Sequence, residues 1–484
     1  PSHKMKSPHH CLSVAFVTLV GSFQGLQAGI VTNNADSGTG SLRATISAAV
    51  NGEVITFDPG LNGSTITLSS GTLIINGLTL TIDATSLSSG ISISGNNNSR
   101  VLTIISNSSA TLKNLILTEG SEATGSGGAL YVQGGNLVMT DCSVVNSYAS
   151  GSGGGAVIVD AIQTNIDRCS FIGNHGNDYG GGIFFIGSNS SATISNSVIS
   201  GNRSLNGGGI LNFDMSPSIV NCTIQGNSGA GIRNEFASVP VLRNTIIWGN
   251  RTGAGDDYSQ QIFNNGSSAS ANTDFCLIEG GPATLNNLNG STTNNPLFIR
   301  PATPSNSSTP PTTNVDLRVF TTSPVLNVGD NGSNATLLDR AGKARTQNTT
   351  IDLGAFEGGY VTFAFLHPSI APTGDANGNG LSNFLEYATG IDPTGPDDAS
   401  VRPQLSTSGG FHFLTSSQRS NAADTTAIWQ TSTTLASNSW LKMISGINYT
   451  VDSTSNPTPS RQQVVMKLLD VDSRRFYRQG FPNN

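Results

Sequence analysis

The chain has 484 residues, of which 57 are glycine and only 11% are charged, and its formal net charge is −7. This length allows two to four domains. The acidic balance and the lack of a basic run argue against nucleic acid as a partner. Low charge combined with many Gly, Asn, Ser and Thr residues is typical of secreted β-solenoids rather than of cytosolic enzymes.

Residues 1–28 have the features of a secretory signal peptide. Lys4 and Lys6 precede an apolar segment at 11–20, and Ala28 offers a small residue at a cleavage position. The alternative is a buried helix. No other apolar run reaches the roughly 18 residues that a membrane span needs. We therefore expect an exported protein, secreted or held at a bacterial cell surface, with no transmembrane span in the mature chain.

Residues 29–100 are predicted to form an N-terminal cap and the first coils of a solenoid. Ser41 can cap a short helix in which Leu42 and Ile46 share one face. The run Ser-Leu-Arg-Ala-Thr-Ile that begins at Ser41 resembles the N-terminal segment of many secreted β-helix proteins. A first coil exposes strand edges that a cap must cover. We assign Arg43 to satisfying backbone carbonyls there rather than to catalysis.

Residues 101–292 repeat a pattern about every 27 residues. Short apolar runs of period two alternate with glycine clusters, which lie at Gly127–Gly128, Gly153–Gly155, Gly180–Gly182 and Gly207–Gly209. A period in the twenties indicates a solenoid, and three short strands with three turns fill one such period. The pattern predicts a parallel β-helix. A disordered Gly/Asn-rich tract, the alternative, does not account for the regularly placed Ile and Val residues.

Two further tracks run in step with the glycines. Small residues predicted to stack in the interior are Cys142, Cys169, Ser197, Cys222 and Thr245. Amides predicted to form a ladder along one edge are Asn174, Asn202, Asn227 and Asn250. Cys142 and Cys169 fall in neighbouring coils, within reach of a disulfide. The other interpretation, which we favour, is a buried stack of thiols.

The glycine motifs resemble the repeat of polymorphic outer-membrane proteins. That repeat contains Gly-Gly-Ala/Gly-Ile, present here as Gly127-Gly-Ala-Leu130 and at three later positions, and Phe-x-x-Asn, present as Phe171-Ile-Gly-Asn174. The resemblance implies a right-handed parallel β-helix on a bacterial surface, such as the outer membrane. It implies no particular activity.

Residues 293–360 are predicted to close the solenoid at its C-terminal end. Ile351-Asp-Leu-Gly-Ala-Phe-Glu357 resembles the end of the closing segment that follows many bacterial β-helices. The intervening 301–314 is rich in Ser, Thr and Pro and predicts a loop.

Residues 361–400 are predicted to form a linker with a calcium loop. The run 375–386 matches the EF-hand loop at every ligand position, with a turn glycine at Gly380. The predicted metal ligands are Asp375, Asn377, Asn379, Leu381, Asn383 and Glu386. The stretch resembles the short calcium-loop linkers of secreted bacterial surface proteins, which implies weakly bound structural Ca²⁺. The alternative is an Asn/Gly turn followed by a helix.

Residues 401–484 alternate apolar and polar side chains over short spans. This pattern predicts a small antiparallel β-sandwich as a tail module. It resembles C-terminal modules that follow such linkers. Whether it sorts, anchors or binds stays open. The predicted fold class is thus all-β, a right-handed parallel β-helix with a small C-terminal β-sandwich.

The function that we expect is structural or adhesive. Val157, Phe184 and Leu211 follow the glycines at equivalent positions, and they predict either an outward apolar stripe or a surface covered by a loop. An exposed stripe would bind a glycan or a cell-surface protein. We assign no catalytic residues and no cofactor-binding residues.

The alternative function is a polysaccharide lyase or glycoside hydrolase. The densest polar group in the repeats contains His175 and Asp178, and Arg203 lies one coil later. Such residues supply a base, an acid and a cation. However, they fall in turns, and no two carboxylates fall at matching coil positions. A cleft in which carboxylates converge from neighbouring coils would favour the enzyme.

Overall fold

We describe the protein from a computed structural model. The described residues are 29–188, 191–251, 261–284, 286–305, 311–378, 381–389, 392–395, 404–408, 411–423, 428–432, 441–442, 449–458, 461–468 and 476–480. The predicted signal peptide and the predicted ligand Asn379 lie outside them.

Three parallel sheets form the body, and each coil of the chain visits them in the order sheet 1, sheet 2, sheet 3. Sheet 1 contains Gly29–Val31, Glu53–Phe57, Thr79–Asp83, Ser109–Lys113, Asn136–Thr140, Gln163–Asp167, Ser191–Ser195, Ser218–Val220, Val241–Arg243 and Asn272–Asp274. Sheet 2 contains Thr65–Thr67, Ile91–Ser94, Leu115–Thr118, Ser143–Val145, Ser170–Ile172, Val198–Ser200, Thr223–Gln225, Ile246–Trp248 and Leu277–Ile278. Sheet 3 contains Leu73–Asn76, Leu102–Ile105, Leu130–Gln133, Ala156–Val159, Ile183–Ile186, Ile210–Phe213, Ile232–Glu235 and Ile262–Asn265. The predicted parallel β-helix is confirmed.

The turns explain the glycine clusters and a row of asparagines between sheets 1 and 2. A short parallel ladder between sheets 2 and 3 contains Ser121–Glu122, Tyr148–Ala149 and His175–Gly176. Gly180 and Gly207 adopt φ of 58° and 72°, and Asn196 and Asn221 adopt 48° and 54°. These left-handed conformations are cheap for Gly and tolerated by Asn. The sequence places those residue types at the same point of successive coils, so the coils stack in register.

The interior contains one apolar core and the predicted amide ladder. Asn174 donates through Nδ2 to the Oδ1 of Asn202 (3.0 Å), and Asn202 donates in the same way to Asn227 (3.0 Å). Asn227 bonds Asn250 (2.8 Å), which continues to Gln261 (2.8 Å). All four asparagines are fully buried, so the ladder satisfies amides that would otherwise cost stability.

The predicted small residues are buried as well. Cys142, Cys169, Cys222 and Cys276 are free thiols with no exposed surface. Burial raises the pKa of Cys222 to about 12 and that of Cys276 to about 11. Cys222 and Cys276 therefore stay protonated, and all four side chains pack as small apolar groups.

The N-terminal segment contains the short helix expected from the sequence. Ser41 caps the helix Leu42–Ala48 by accepting a hydrogen bond from the N–H of Ala44. Arg43 donates to the carbonyls of Gly71 (2.5 Å) and Thr72 (2.9 Å) and pairs with Asp36 (2.7 Å). These contacts confirm the structural role expected for Arg43. A 3₁₀ turn follows at Pro59–Leu61.

Residues 293–360, called the covering segment below, contact the side of the solenoid. This segment contains the antiparallel pair Phe298–Arg300 and Asp316–Val319 and a 3₁₀ turn at Asn331–Ser333; another 3₁₀ turn, Thr292–Asn294, precedes the pair. Its apolar residues pack on the outward side chains of sheet 2.

The loop before this segment forms hydrogen bonds with the open edge of the last coil. The N–H of Leu288 donates to the carbonyl of Cys276 (3.0 Å), and Asn287 Oδ1 accepts from the N–H of Cys276 (2.8 Å). We expected 293–360 itself to close that end. Its described contacts lie along the side instead, because the outward apolar residues of sheet 2 need a partner.

Among the described residues, the remaining elements are two helices and two antiparallel sheets. The helices are Phe363–Leu366 and Asn383–Thr389. A four-stranded sheet contains Gln404–Ser408, Phe411–Arg419, Arg461–Leu468 and Tyr449–Thr458, and a three-stranded sheet contains Leu441–Lys442, Ile428–Ser432 and Phe476–Gly480. The small antiparallel C-terminal structure expected from the sequence is confirmed. None of the described helices is long and apolar enough to cross a membrane.

Candidate functional site

The predicted apolar stripe lies on the outward face of sheet 3. Val157, Phe184 and Leu211 pair directly across neighbouring strands and alternate with core residues, so they point away from the interior. However, they are almost fully buried, with at most 8% of each exposed. The glycine turns lie against them: a Cβ on Gly180 would come within 2.7 Å of the Cβ of Phe184. The stripe is therefore a satellite core and not an exposed binding surface.

An aromatic series continues from this stripe toward the end of sheet 3. The ring centroids of Phe184 and Phe213 are 6.5 Å apart, and those of Phe213 and Phe236 are 4.4 Å apart. Tyr179 stacks on Phe184 at 6.0 Å. Phe236 is 59% exposed, so the series begins in a packed layer and ends on an aromatic surface open to solvent.

Phe236 borders a cleft of about 600 Å³ at the ends of three sheet 3 strands. Phe213, Glu235 and Asn265 are in register there. The cleft is lined by Asp214, Glu235, Phe236, Ala237, Asn265, Gly266, Ser267 and Ser268. It thus combines one exposed ring with two carboxylates, a side-chain amide and hydroxyl groups.

Phe236 is held in a conformation that bulky residues rarely adopt. Its φ is 55°, while the equivalent positions of the neighbouring coils carry Asp214 (φ 54°) and Gly266 (φ 109°). Asp and Gly accept this region cheaply, whereas Phe carries a cost of about 1–2 kcal/mol. A strained, exposed aromatic residue in a cleft is a reasonable marker of function.

The charges in the cleft are arranged asymmetrically. Glu235 accepts from Arg233 Nε through Oε1 (2.5 Å) and from Asn265 Nδ2 through Oε2 (2.6 Å). The guanidinium of Arg233 also lies over the ring of Phe263, 4.8 Å from its centroid. Asp214 adds a second carboxylate from the neighbouring coil. The three charged groups together give a net negative cleft.

The sequence analysis assigned no role to Asp214, Arg233 or Glu235. It missed their convergence because the coil shortens here. The paired residues Ile186 and Phe213 are separated by 213 − 186 = 27 positions, whereas Phe213 and Glu235 are separated by 235 − 213 = 22 positions. The glycines record the same change, since Gly229 follows Gly207 by 229 − 207 = 22 positions.

The predicted catalytic candidates lie elsewhere, between sheets 2 and 3. His175 forms a parallel bridge with Arg203, which confirms that they occupy neighbouring coils. Burial, reinforced by the charge of Arg203, lowers the pKa of His175. Its ring packs edge-on against Tyr148, with centroids 5.3 Å apart. Asp178 lies in the following turn, where its carbonyl accepts from the N–H of Asn206 (3.0 Å).

The loop predicted to bind calcium is described except for two positions, Asn379 and Gly380. Asn377 donates through Nδ2 to Glu386 Oε1 (2.8 Å), and Glu386 is fully buried. Asp375 Oδ1 accepts from the N–H of Gly378 (2.8 Å). Leu381 lies two residues before the helix Asn383–Thr389. The fold thus brings two of the predicted ligands, Asn377 and Glu386, into direct contact.

Asn383 plays a structural part in the same loop. Its Oδ1 accepts from the N–H of Ala376 (2.8 Å), and its Nδ2 donates to the carbonyl of Ala371 (2.8 Å). The donor set of oxygens around a buried carboxylate fits a calcium ion, with Asn377 presenting Oδ1 after rotation of its amide. Among the described residues, no three His, Cys, Asp or Glu side chains gather as a metal cluster, and this loop supplies two carboxylates.

Comparison with known proteins identifies no relative: no family model, no curated protein and no solved structure matches the chain.

Proposed function

We propose that the protein is a secreted or cell-surface adhesion protein whose β-helix binds a polymeric carbohydrate at the cleft around Phe236. The observation that supports this function is the 59% exposed ring of Phe236, held at positive φ in a cleft that Asp214 and Glu235 also line. Sugar rings present an apolar face that packs on aromatic rings, and their hydroxyl groups bond to carboxylates and amides. A concave site with one apolar wall and a few polar groups is suited to such a ligand.

The direction of the aromatic series supports a polymer rather than a single sugar. Phe184, Phe213 and Phe236 come from three successive coils, and coils stack about 4.8 Å apart. A chain running along the solenoid would meet the exposed end of this series and the polar groups of the cleft. The resemblance to polymorphic outer-membrane repeats supports a location at a bacterial surface.

The experiment compares three full-length proteins by affinity electrophoresis in gels containing neutral polysaccharides. Phe236→Ala should weaken binding about tenfold, since exposed aromatic anchors at binding sites commonly carry 1 kcal/mol or more. Leu337→Ala is the control because Leu337 is 86% exposed but lies on the covering segment. Equal binding of the wild type and Phe236→Ala would mean that no carbohydrate binds at Phe236.

A second candidate is a glycoside hydrolase, favoured by the convergence of Asp214 and Glu235 in one cleft. Hydrolysis needs one carboxyl group that donates a proton and one that acts as base or nucleophile. Both oxygens of Glu235 already accept hydrogen bonds from Arg233 and Asn265, so this carboxylate is committed to structure. Release of reducing ends from a bound polymer, abolished by Asp214→Asn, would support the enzyme over the adhesin.

We also propose that Ca²⁺ binds the linker loop and stiffens it. Asp375, Asn377, Asn379, Leu381, Asn383 and Glu386 would hold the ion. With two carboxylates, we expect a dissociation constant of about 10⁻⁴ to 10⁻³ M, as in extracellular modules. The adjacent helix Asn383–Thr389 would then fix the tail, because Arg419 Nε donates to the carbonyl of Tyr387 (2.8 Å).

Calorimetry on the full-length chain at millimolar calcium tests this proposal. Glu386→Gln should remove most of the heat, since it deletes the carboxylate that binds through both oxygens. Asp58→Asn is the control, because it removes one exposed carboxylate outside the loop. If the wild type shows no heat, or if Glu386→Gln binds as tightly as the wild type, the loop is only a turn.

A further inference from the structure

We infer that the cleft around Phe236 selects a glycan that carries a protonated amine, such as a glucosamine polymer, over neutral and uronic acid polymers. This inference rests on the proposed carbohydrate-binding function and specifies its ligand. It depends on the combination of an exposed ring with an unbalanced negative charge in one cleft of about 600 Å³.

The balance of charges sets the preference. Arg233 is bound to Glu235 (2.5 Å) and packed over Phe263 (4.8 Å), so its charge is already matched. Asp214 is the additional charge, half-buried at the turn that follows Phe213. A uronate placed in the cleft would meet this carboxylate and lack a free cation. An ammonium group would meet an attractive potential.

The ring of Phe236 adds to the same preference. Aromatic faces attract cations that lie within about 6 Å of the ring centroid. Phe213 supports the Phe236 ring from one side at 4.4 Å, so the other side is the one available for a ligand. An amino sugar can place its apolar face on this ring while its ammonium group reaches the neighbouring carboxylate.

The experiment measures binding of three oligosaccharides of equal length to the full-length protein by calorimetry. The probes are oligomers of glucosamine, N-acetylglucosamine and galacturonic acid, at low salt and at a pH where the amine is protonated. The glucosamine oligomer should bind at least about fivefold more tightly than the acetylated one, and added salt should reduce this preference.

Asp214→Asn is the decisive variant, since Asp214 is half-buried and Asn tolerates its positive φ of 54°. It should reduce the preference for the glucosamine oligomer over the acetylated oligomer about three- to fivefold. Asp160→Asn is the matched control, because Asp160 is exposed and occupies the same turn position (φ 47°) two coils earlier.

The outcomes separate this inference from the function on which it rests. If none of the three oligomers binds, the carbohydrate-binding function fails and the inference fails with it. If the acetylated or the acidic oligomer binds as tightly as glucosamine, or if Asp214→Asn keeps the full preference, the inference is overturned and the binding function stands.

Discussion

Sheets 2 and 3 both place apolar side chains on their outward faces, but different parts of the chain cover these two faces. On sheet 2, Val198, Ile246 and Trp248 are buried beneath the covering segment. On sheet 3, Val157, Phe184 and Leu211 are buried mainly by each other and by their own turns. The apolar pattern of a strand therefore does not by itself tell whether its outward face is available for binding.

The difference arises from specific contacts far apart in the chain. The N–H of Ala355 donates to Thr223 Oγ1 (3.0 Å), Asn244 Nδ2 donates to the carbonyl of Asp330 (3.0 Å), and Arg340 Nε donates to Ser170 Oγ (3.0 Å). These bonds fix the covering segment across several coils of sheet 2. Among the described residues, it is the outward face of sheet 3 that leads to an exposed aromatic ring in a polar cleft.

The largest effect should come from loosening the cover of sheet 2. Leu353→Ala removes a side chain that is 2% exposed and packed in this cluster. We expect the free energy of unfolding to fall by about 2–5 kcal/mol, the usual cost of such a cavity. Urea unfolding measures it, and Leu337→Ala, at an 86% exposed site of the same segment, should change stability by less than about 0.5 kcal/mol. Equal effects of the two substitutions would mean that the segment is not packed as described.

A smaller effect should follow from a change of pH, because the covering segment contains a buried cluster of charged side chains around Arg345. Arg345 is fully buried and pairs with Glu357 (3.1 Å), whose N–H donates to Asp339 Oδ2 (2.8 Å). Burial raises the pKa of Glu357 from 4.5 to about 8, against the lowering effect of Arg345, and the charges of Asp352 and Asp339 raise it further.

The direction of the pH effect follows from this raised pKa. The folded protein keeps the proton of Glu357 to a higher pH than the unfolded chain, so the contribution to stability is complete below about pH 4.5 and is lost as pH rises through about 8. The stability of the wild type relative to Glu357→Gln should therefore decline by a few kcal/mol at most between these values. Denaturant midpoints at pH 5, 6.5 and 8 measure it, and a constant or rising difference would contradict the assignment.

The smallest effect concerns the backbone at Phe236. Phe236→Gly and Phe236→Ala both remove the ring, but alanine keeps a Cβ at φ 55°. We expect the glycine variant to be more stable than the alanine variant by about 1 kcal/mol. Thermal unfolding of the two variants tests this difference. An alanine variant at least as stable as the glycine variant would show that the backbone relaxes once the ring is gone.

The repetitive part of the molecule was predictable because every coil repeats the same local rule. The amide ladder from Asn174 to Asn250 and the interior position of Cys142 followed from spacing and residue type. The contacts of Arg43 with backbone carbonyls followed from the resemblance to the N-terminal segments of secreted β-helix proteins. Two further stacks were not anticipated. Asn212 bonds Asn234 (2.8 Å) inside sheet 3, and Asn221 bonds Asn244 (3.1 Å) at the turn between sheets 1 and 2.

The candidate site was less predictable because it depends on register. Asp214 and Glu235 line one cleft only because a coil shortens by five positions, from 27 to 22, and Val157 is buried although it points outward. For the predicted calcium loop, the ligand set stays a prediction from the sequence, and the fold adds the contact between Asn377 and Glu386.

The sequence by itself determined that this chain forms coils and where each coil turns. Glycine and asparagine are the residues that accept left-handed backbone, and alternating apolar residues need a shared interior, so both properties are local and repeat along the chain. The tertiary structure alone decided which outward face is covered, which carboxylates meet and which aromatic ring stays exposed. Those outcomes depend on contacts between residues as far apart as Thr223 and Ala355, and no local pattern records them.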